Sequence, residues 1–247
     1  MLASDQRQAL HKSVLLRVLI KILDNNFLAQ NLIFKGDTCA SMLGYLDRFS
    51  VDLDFTLKGK EIRSQVRQEL EEIFKQLNLE IKDQSQKTIQ YFLKYEASPQ
   101  SRNTLKIDAV DIPFDNDQHE KKLLPDINRF AICQTKETMF AHKLVALYDR
   151  YQRNGSIAGR DLYDIHYYLQ LGFKINTAVI EERTGKQAND YLQTLLSFIK
   201  NQINQTIIDQ DLNFLLDYKK FKAIRQTLKP ETIVLLRDRL NQMSGES

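Results

Sequence analysis

The spacing of apolar residues divides the chain into two parts of different character. Between residues 6 and 29, Leu10, Val14, Leu15, Val18, Leu19 and Ile22 recur at helical spacing and predict an amphipathic opening helix. Leu32-Ile33-Phe34 is a short apolar run ending at Gly36, residues 38–46 read as a short helix, and Val51-Asp52-Leu53-Asp54-Phe55 alternates as a half-buried strand does. A charged helical stretch follows at 61–77. Segments 79–82, 88–95 and 103–114 have strand character, and their short connections suit an antiparallel extension of the sheet. Pro113 and Pro125 punctuate the exit from that region, and 128–133 reads as one more short strand. Beyond Gln134 the pattern turns helical. Met139, Phe140, Leu144, Val145, Leu147 and Tyr148 mark a helix over 136–154 that breaks at Gly155-Ser156, and further helices are expected at 160–171, 176–183, 187–201, 212–224 and 230–242. No internal repeat or low-complexity tract interrupts this order. The fold class expected is α/β (α+β), with a mixed sheet flanked by helices over 1–134 and a helical domain over 135–247.

Composition narrows the function classes without choosing one. At 247 residues and 43% hydrophobic content, the chain can bury one good core or two modest ones. Apolar runs such as Val14-Leu15-Leu16 break within a few residues and the first residues are polar, so neither a membrane span nor a signal peptide is expected. Cys39 and Cys133 lack CxxC spacing, which favours reduced thiols in the cytoplasm over a disulfide framework or a thiolate zinc site. His11, His119, His142 and His166 have no ligand spacing and read as surface or packing residues. A net charge of +3 does not announce nucleic-acid binding. Between residues 219 and 239, however, seven basic residues (Lys219, Lys220, Lys222, Arg225, Lys229, Arg237 and Arg239) stand against Glu231 and Asp238. Such a stretch is either a basic face that steers an RNA backbone or an ordinary solvated helix surface.

The candidate chemistry begins at Asp52 and Asp54. Two residues apart on a strand, they point to the same face, where two unpaired carboxylates repel unless a cation or protons offset the charge. Leu53 and Phe55 beside them imply partial burial, so a divalent metal is the expected partner. Asp108, in Leu105-Lys106-Ile107-Asp108, joins the pair if its strand neighbours theirs; it is then a third metal ligand and the candidate general base for an attacking hydroxyl. Its bland reading is an ion pair with Lys106 or Lys94. Asp111, an odd number of residues on, points to the other face. Lys143 is flanked by apolar residues that would pack its stem and aim its head at phosphate. Arg160, Asp161 and Asp164 have spacing that suits either catalysis or helix salt bridges, with Asp161 orienting Lys143 or Arg150. Arg48 and Ser50 either touch substrate phosphate or fix the turn before the Asp52 strand.

Four motifs in order carry a family resemblance. Phe34-Lys35-Gly36, Arg48-Phe49-Ser50-x-Asp52-x-Asp54-Phe55, Ala141-His142-Lys143-Leu144-x-Ala146-Leu147-x-x-Arg150 and Arg160-Asp161-Leu162-Tyr163-Asp164 resemble the AbiEii/AbiGii toxin family over about residues 30–170. The resemblance implies a polymerase-β-like nucleotidyltransferase core and transfer of NMP from an NTP to an acceptor, with release of pyrophosphate. It implies Mg²⁺ (or Mn²⁺) held by Asp52 and Asp54, a triphosphate at Gly36, and phosphate contact from Lys143. Lys35, Thr38, Arg48, Ser50, Arg150 and Asp161 would complete the nucleotide site, and the helical domain would complete the cleft for nucleotide and acceptor. Some relatives modify the 3′ end of tRNA as toxins restrained by an antitoxin, so an RNA acceptor, a cognate antitoxin and a role in phage defence are implied here too.

Two positions depart from the family pattern. The turn reads Gly36-Asp37 where relatives have Gly-Gly or Gly-Ser, which sets a carboxylate where phosphate should approach, unless Asp37 caps the short helix after it. His142 stands where relatives often have glutamate. Two alternatives therefore stay open: a catalytically weakened fold serving as a nucleotide- or partner-binding module, and transfer of NMP or phosphate to a protein hydroxyl.

Overall fold

The computed structural model describes residues 2–97, 102–111 and 114–245, with side chains except at 2–8, 214, 244 and 245. Ile112 and Pro113, at the end of the segment expected to be a strand over 103–114, lie outside the described residues. The chain forms two compact units, Met1–Pro113 with Gln118–Gln134, and Phe114–Asp117 with Thr135–Ser247.

The first unit is built on a seven-stranded mixed sheet. Its strands are β1 (Leu32–Lys35), β2 (Asp52–Leu57), β3 (Glu80–Gln84), β4 (Ile89–Lys94), β5 (Thr104–Val110), β6 (His119–Leu124) and β7 (Arg129–Gln134), in the order β3-β4-β5-β2-β1-β7-β6. β2 runs parallel to β5 and antiparallel to β1, and β1 runs parallel to β7. The alternation along β2 and β5 sends Leu53, Phe55, Leu105 and Ile107 into the core and leaves Asp52, Asp54, Lys106 and Asp108 on the opposite face. Helices α1 (Leu2–Asp24), α2 (Asn26–Asn31) and α4 (Arg63–Gln76) cover the core face through Val18, Leu19, Ile22, Leu28, Leu70 and Phe74, while α3 (Gly36–Met42) links β1 to β2.

Three features differ from the sequence expectation. The opening helix divides at Asn25, whose side chain accepts the Leu28 N–H and so starts α2. Leu10, placed on its apolar face, is 40% exposed, and His11 takes the buried position at 2%. β6 has no counterpart in the apolar pattern: it is an edge strand carrying Glu120, Lys121 and Lys122, charges that protect an edge from further pairing.

The second unit is helical: α5 (Lys136–Asn154), α6 (Gly159–Gln170), α7 (Thr177–Thr184), α8 (Ala188–Gln202), α9 (Gln205–Leu215), α10 (Tyr218–Ile224) and α11 (Leu228–Gly245). Thr135 caps α5 by accepting the Thr138 N–H, and Gly155 closes it in the left-handed conformation. The helix expected over 212–224 is two helices, because Asp217 caps a new start by accepting the Lys220 N–H. Segment Phe114–Asp117 belongs to this unit: Glu182 accepts the N–H groups of Asp115 and Asn116 at 2.7 and 2.9 Å, and His142 lies 2.6 Å from Asp117.

Candidate active site

The turn between β1 and α3 is held from below. Gly36 adopts φ +75°, and a Cβ there would fall 2.6 Å from Asp54 Oδ2, so both conformation and space require glycine. The Thr38 hydroxyl donates to the main-chain carbonyl of Asp52, and Ser41 Oγ donates to that of Arg48 at 2.9 Å. Arg48, its side chain 2% exposed, donates from Nη2 to Asp37 Oδ2 at 2.6 Å and from Nη1 to the Phe49 carbonyl. Arg48 and Thr38 thus brace the turn from within, and the Asp37 carboxylate is ion-paired. Neither the free repulsive charge nor the helix cap considered for Asp37 describes it: α3 has no side-chain cap. Ser50 lines a small cavity of about 120 Å³ with Lys12, Thr38, Ser41 and Asp126.

The sheet register assembles the carboxylates. Asp54 stands opposite Lys35 of β1 and Asp108 of β5, and Asp108 opposite Gln90 of β4, so these four form one row across four strands. Asp52, Lys106 and Phe92 form the next row on the same face. Lys106 Nζ and Gln90 Nε2 both reach Asp108 Oδ2, at 2.8 and 3.0 Å, and Arg102 Nη2 lies 3.2 Å from Asp52 Oδ1. Lys94 pairs with Glu80, and Asp111 with Arg63 beyond the end of β5.

The electrostatics follow from this crowding. Burial, and then the neighbouring charge of Asp52, raise the Asp54 pKa to about 6, with Asp37 and Asp108 adding to the effect and Lys106 opposing it. Burial alone would lower the Lys106 pKa, but its bond to Asp108 and the charges of Asp54 and Asp52 outweigh burial and raise it. Among the described residues no three His, Cys, Asp or Glu side chains converge as a ready metal site. The donor chemistry nonetheless suits a hard divalent cation: three carboxylates share one face, and burial together with the charge of Asp52 holds Asp54 back from ionising. Arg102 and Lys106 supply positive charge to Asp52 and Asp108.

Two contributors escaped the sequence reading. His11 Nε2 meets the Val51 carbonyl at 2.8 Å and Nδ1 meets the Tyr95 hydroxyl at 2.7 Å, fixing the residue before Asp52 from the core side; burial lowers its pKa. The signal was present, since His11 falls in register with Val14, Leu15, Val18 and Ile22. Arg102 gave no such signal, because its ion pair spans a separation of 50 residues.

The remaining expected residues lie in the helical unit. Lys143 Nζ sits 3.3 Å from Asp161 Oδ1 and 3.0 Å from Asp164 Oδ2, and Arg150 Nη2 lies 3.2 Å from Asp161 Oδ2. Asp161 therefore orients both cations, and both carboxylates are buried. Three of the seven basic residues between 219 and 239 are engaged within the helical unit. Arg225 pairs with Asp209, Lys229 donates to the carbonyls of Lys200 and Ile203 at the end of α8, and Arg239 donates to the Phe173 carbonyl. These three hold helix ends together, which the charge count alone does not reveal. No helix among the described residues is long and apolar enough to cross a membrane.

The fold has counterparts among solved structures. The chain resembles JHP933 from Helicobacter pylori (21% identity, TM-score 0.57, 97% of this chain and 96% of that one). It also resembles a putative nucleotidyltransferase from H. pylori (19%, 0.59, 96% of each). A third likeness is to MenT4, the nucleotidyltransferase toxin Rv2826c of Mycobacterium tuberculosis H37Rv (15%, 0.54, 96% and 86%). At these identities the likeness establishes the fold. No curated protein matches the chain in sequence. The model of the family described as nucleotidyl transferase AbiEii toxin, type IV toxin–antitoxin system, matches residues 17–232, and the chain accordingly belongs to that family of nucleotidyltransferases.

Proposed function

We propose that this nucleotidyltransferase moves NMP from an NTP to an RNA hydroxyl at the 3′ end of tRNA, in a reaction dependent on Mg²⁺ or Mn²⁺ and restrained in the cytoplasm by a cognate antitoxin. The observation that supports this reading is the row formed by Asp54 and Asp108 on adjacent parallel strands, with Asp52 on the same face and Gly36 pressed against Asp54.

When bound, a divalent cation would neutralise triphosphate charge and acidify the acceptor hydroxyl. Asp52 and Asp54 supply its hard oxygen ligands. Asp108, held through Oδ2 by Lys106 and Gln90, accepts the proton of the attacking hydroxyl. The acceptor oxygen bonds to the α-phosphorus, the bond from that phosphorus to the bridging oxygen breaks, and pyrophosphate leaves. Gly36 keeps the approach to Asp54 open, and Lys35 lies in the same row. Lys143, oriented by Asp161 and Asp164, gives nucleotide phosphate a fixed positive charge, so catalysis rests on positioning and electrostatics.

Incubation with each of the four α-labelled NTPs, with total RNA or protein lysate as acceptor, tests the reading. Label on tRNA with intact protein and none with Asp52→Asn is the expected result. Label on a protein band would move the acceptor to a protein hydroxyl.

A further inference from the structure

α5, α6 and α9 border an open cavity of about 490 Å³ whose lining includes Arg150, Ser156, Arg160, Gln210 and Asp211. That volume accommodates a nucleotide unit, since small-ligand sites commonly span about 300–1,000 Å³. Asp211 is already anchored, its Oδ2 accepting the Gly159 N–H at 2.6 Å. The close approach behind it is built into the sequence, because a Cβ on Gly159 would fall 2.8 Å from the Ile207 carbonyl oxygen. The two arginines are less fully engaged. Arg160 is exposed and makes no ion pair among the described residues. Arg150 gives Nη2 to Asp161, while its buried Nε has no partner among the described residues. Although Asp161 already offsets the charge of Arg150, the exposed guanidinium of Arg160 and the Nε of Arg150 remain as donors, and guanidinium fork geometry matches phosphate oxygens.

We propose that this cavity binds a phosphodiester of the acceptor RNA strand, an inference that rests on the RNA-transfer reading above. The openness of the site and the exposure of Arg160 suit a continuous strand. A phosphate on Arg150 would also act on Asp161, which Arg150 shares with Lys143, and so couple acceptor binding to the lysine assigned to the nucleotide.

The test is fluorescence anisotropy of a short fluorescein-labelled single-stranded RNA with the full chain, comparing Arg160→Glu and Arg160→Gln with Arg237→Glu, the same charge reversal at an exposed position of α11. The expected result is weakening by about tenfold or more for Arg160→Glu, less for Arg160→Gln, and a salt dependence shallower by about 0.7 per lost contact. Arg237→Glu should change affinity less than about twofold. Circular dichroism confirms folding of each variant. Equal weakening by Arg160→Glu and Arg237→Glu would reduce the effect to net charge and overturn the proposal, as would absence of RNA binding by intact protein. Thermal stabilisation by Mg²⁺–NTP gives the second readout: its loss in Arg160→Glu with RNA affinity kept would make the ligand the nucleotide and also overturn it. RNA binding with no transfer of label to any acceptor would contradict the transferase reading while leaving the cavity assignment standing.

Discussion

Gly36 and Asp54 are packed so closely that a Cβ on Gly36 would lie 2.6 Å from Asp54 Oδ2 and 3.0 Å from its Cβ. The turn and the carboxylate strand therefore form one object. Gly36→Ala should lower unfolding free energy by at least about 2 kcal/mol, from the left-handed φ and the displaced carboxylate. It should also abolish thermal stabilisation by Mg²⁺–NTP. Urea denaturation and a thermal-shift titration measure the two effects.

The Arg48–Asp37 pair predicts a second stability effect. Arg48→Ala removes the buried cation that pairs with Asp37 and should cost about 3 kcal/mol, whereas the double variant Arg48→Met with Asp37→Asn should recover much of that loss. A double-mutant cycle in urea measures the coupling.

Much of this site was legible because its signals are local. The two-residue spacing of Asp52 and Asp54 fixed their common face, and the expected strand at Asp108 proved parallel to theirs. Other features depend on contacts distant in sequence. Nothing near Arg48 identifies Asp37 as its partner, nothing near Asp52 points to Arg102, and Lys229 and Arg239 look solvated until α8 and Phe173 are placed beside them. The divisions at Asn25 and Asp217 were missed for another reason. Apolar periodicity continues across them, and only the capping side chains mark the break.

The raised Asp54 pKa sets a pH dependence with a definite sign. Between the ordinary carboxylate range and about pH 6 the unfolded chain ionises first and binds fewer protons than the native state, so metal-free stability falls as pH rises through that window. The loss amounts to up to about 3 kcal/mol. Asp54→Asn should flatten this slope and be more stable than the parent at pH 8 without divalent ions. Urea titrations from pH 4 to pH 8 measure both trends, and added Mg²⁺ should restore parent stability only above about pH 6.

In the helical unit, Lys143 neutralises carboxylates that are 3% and 0% exposed at Asp161 and Asp164. Lys143→Met should destabilise the protein by about 3 kcal/mol or more, and adding Asp164→Asn should return part of that. Equilibrium unfolding of the single and double variants checks this.

The central claim, NMP transfer directed by Asp52 and Asp54, is tested most directly by parallel reactions with α- and γ-labelled NTP, using intact protein and Asp54→Asn. The account predicts acceptor label from the α position only, and none with Asp54→Asn. Label from the γ position, or undiminished α-label with Asp54→Asn, would contradict it.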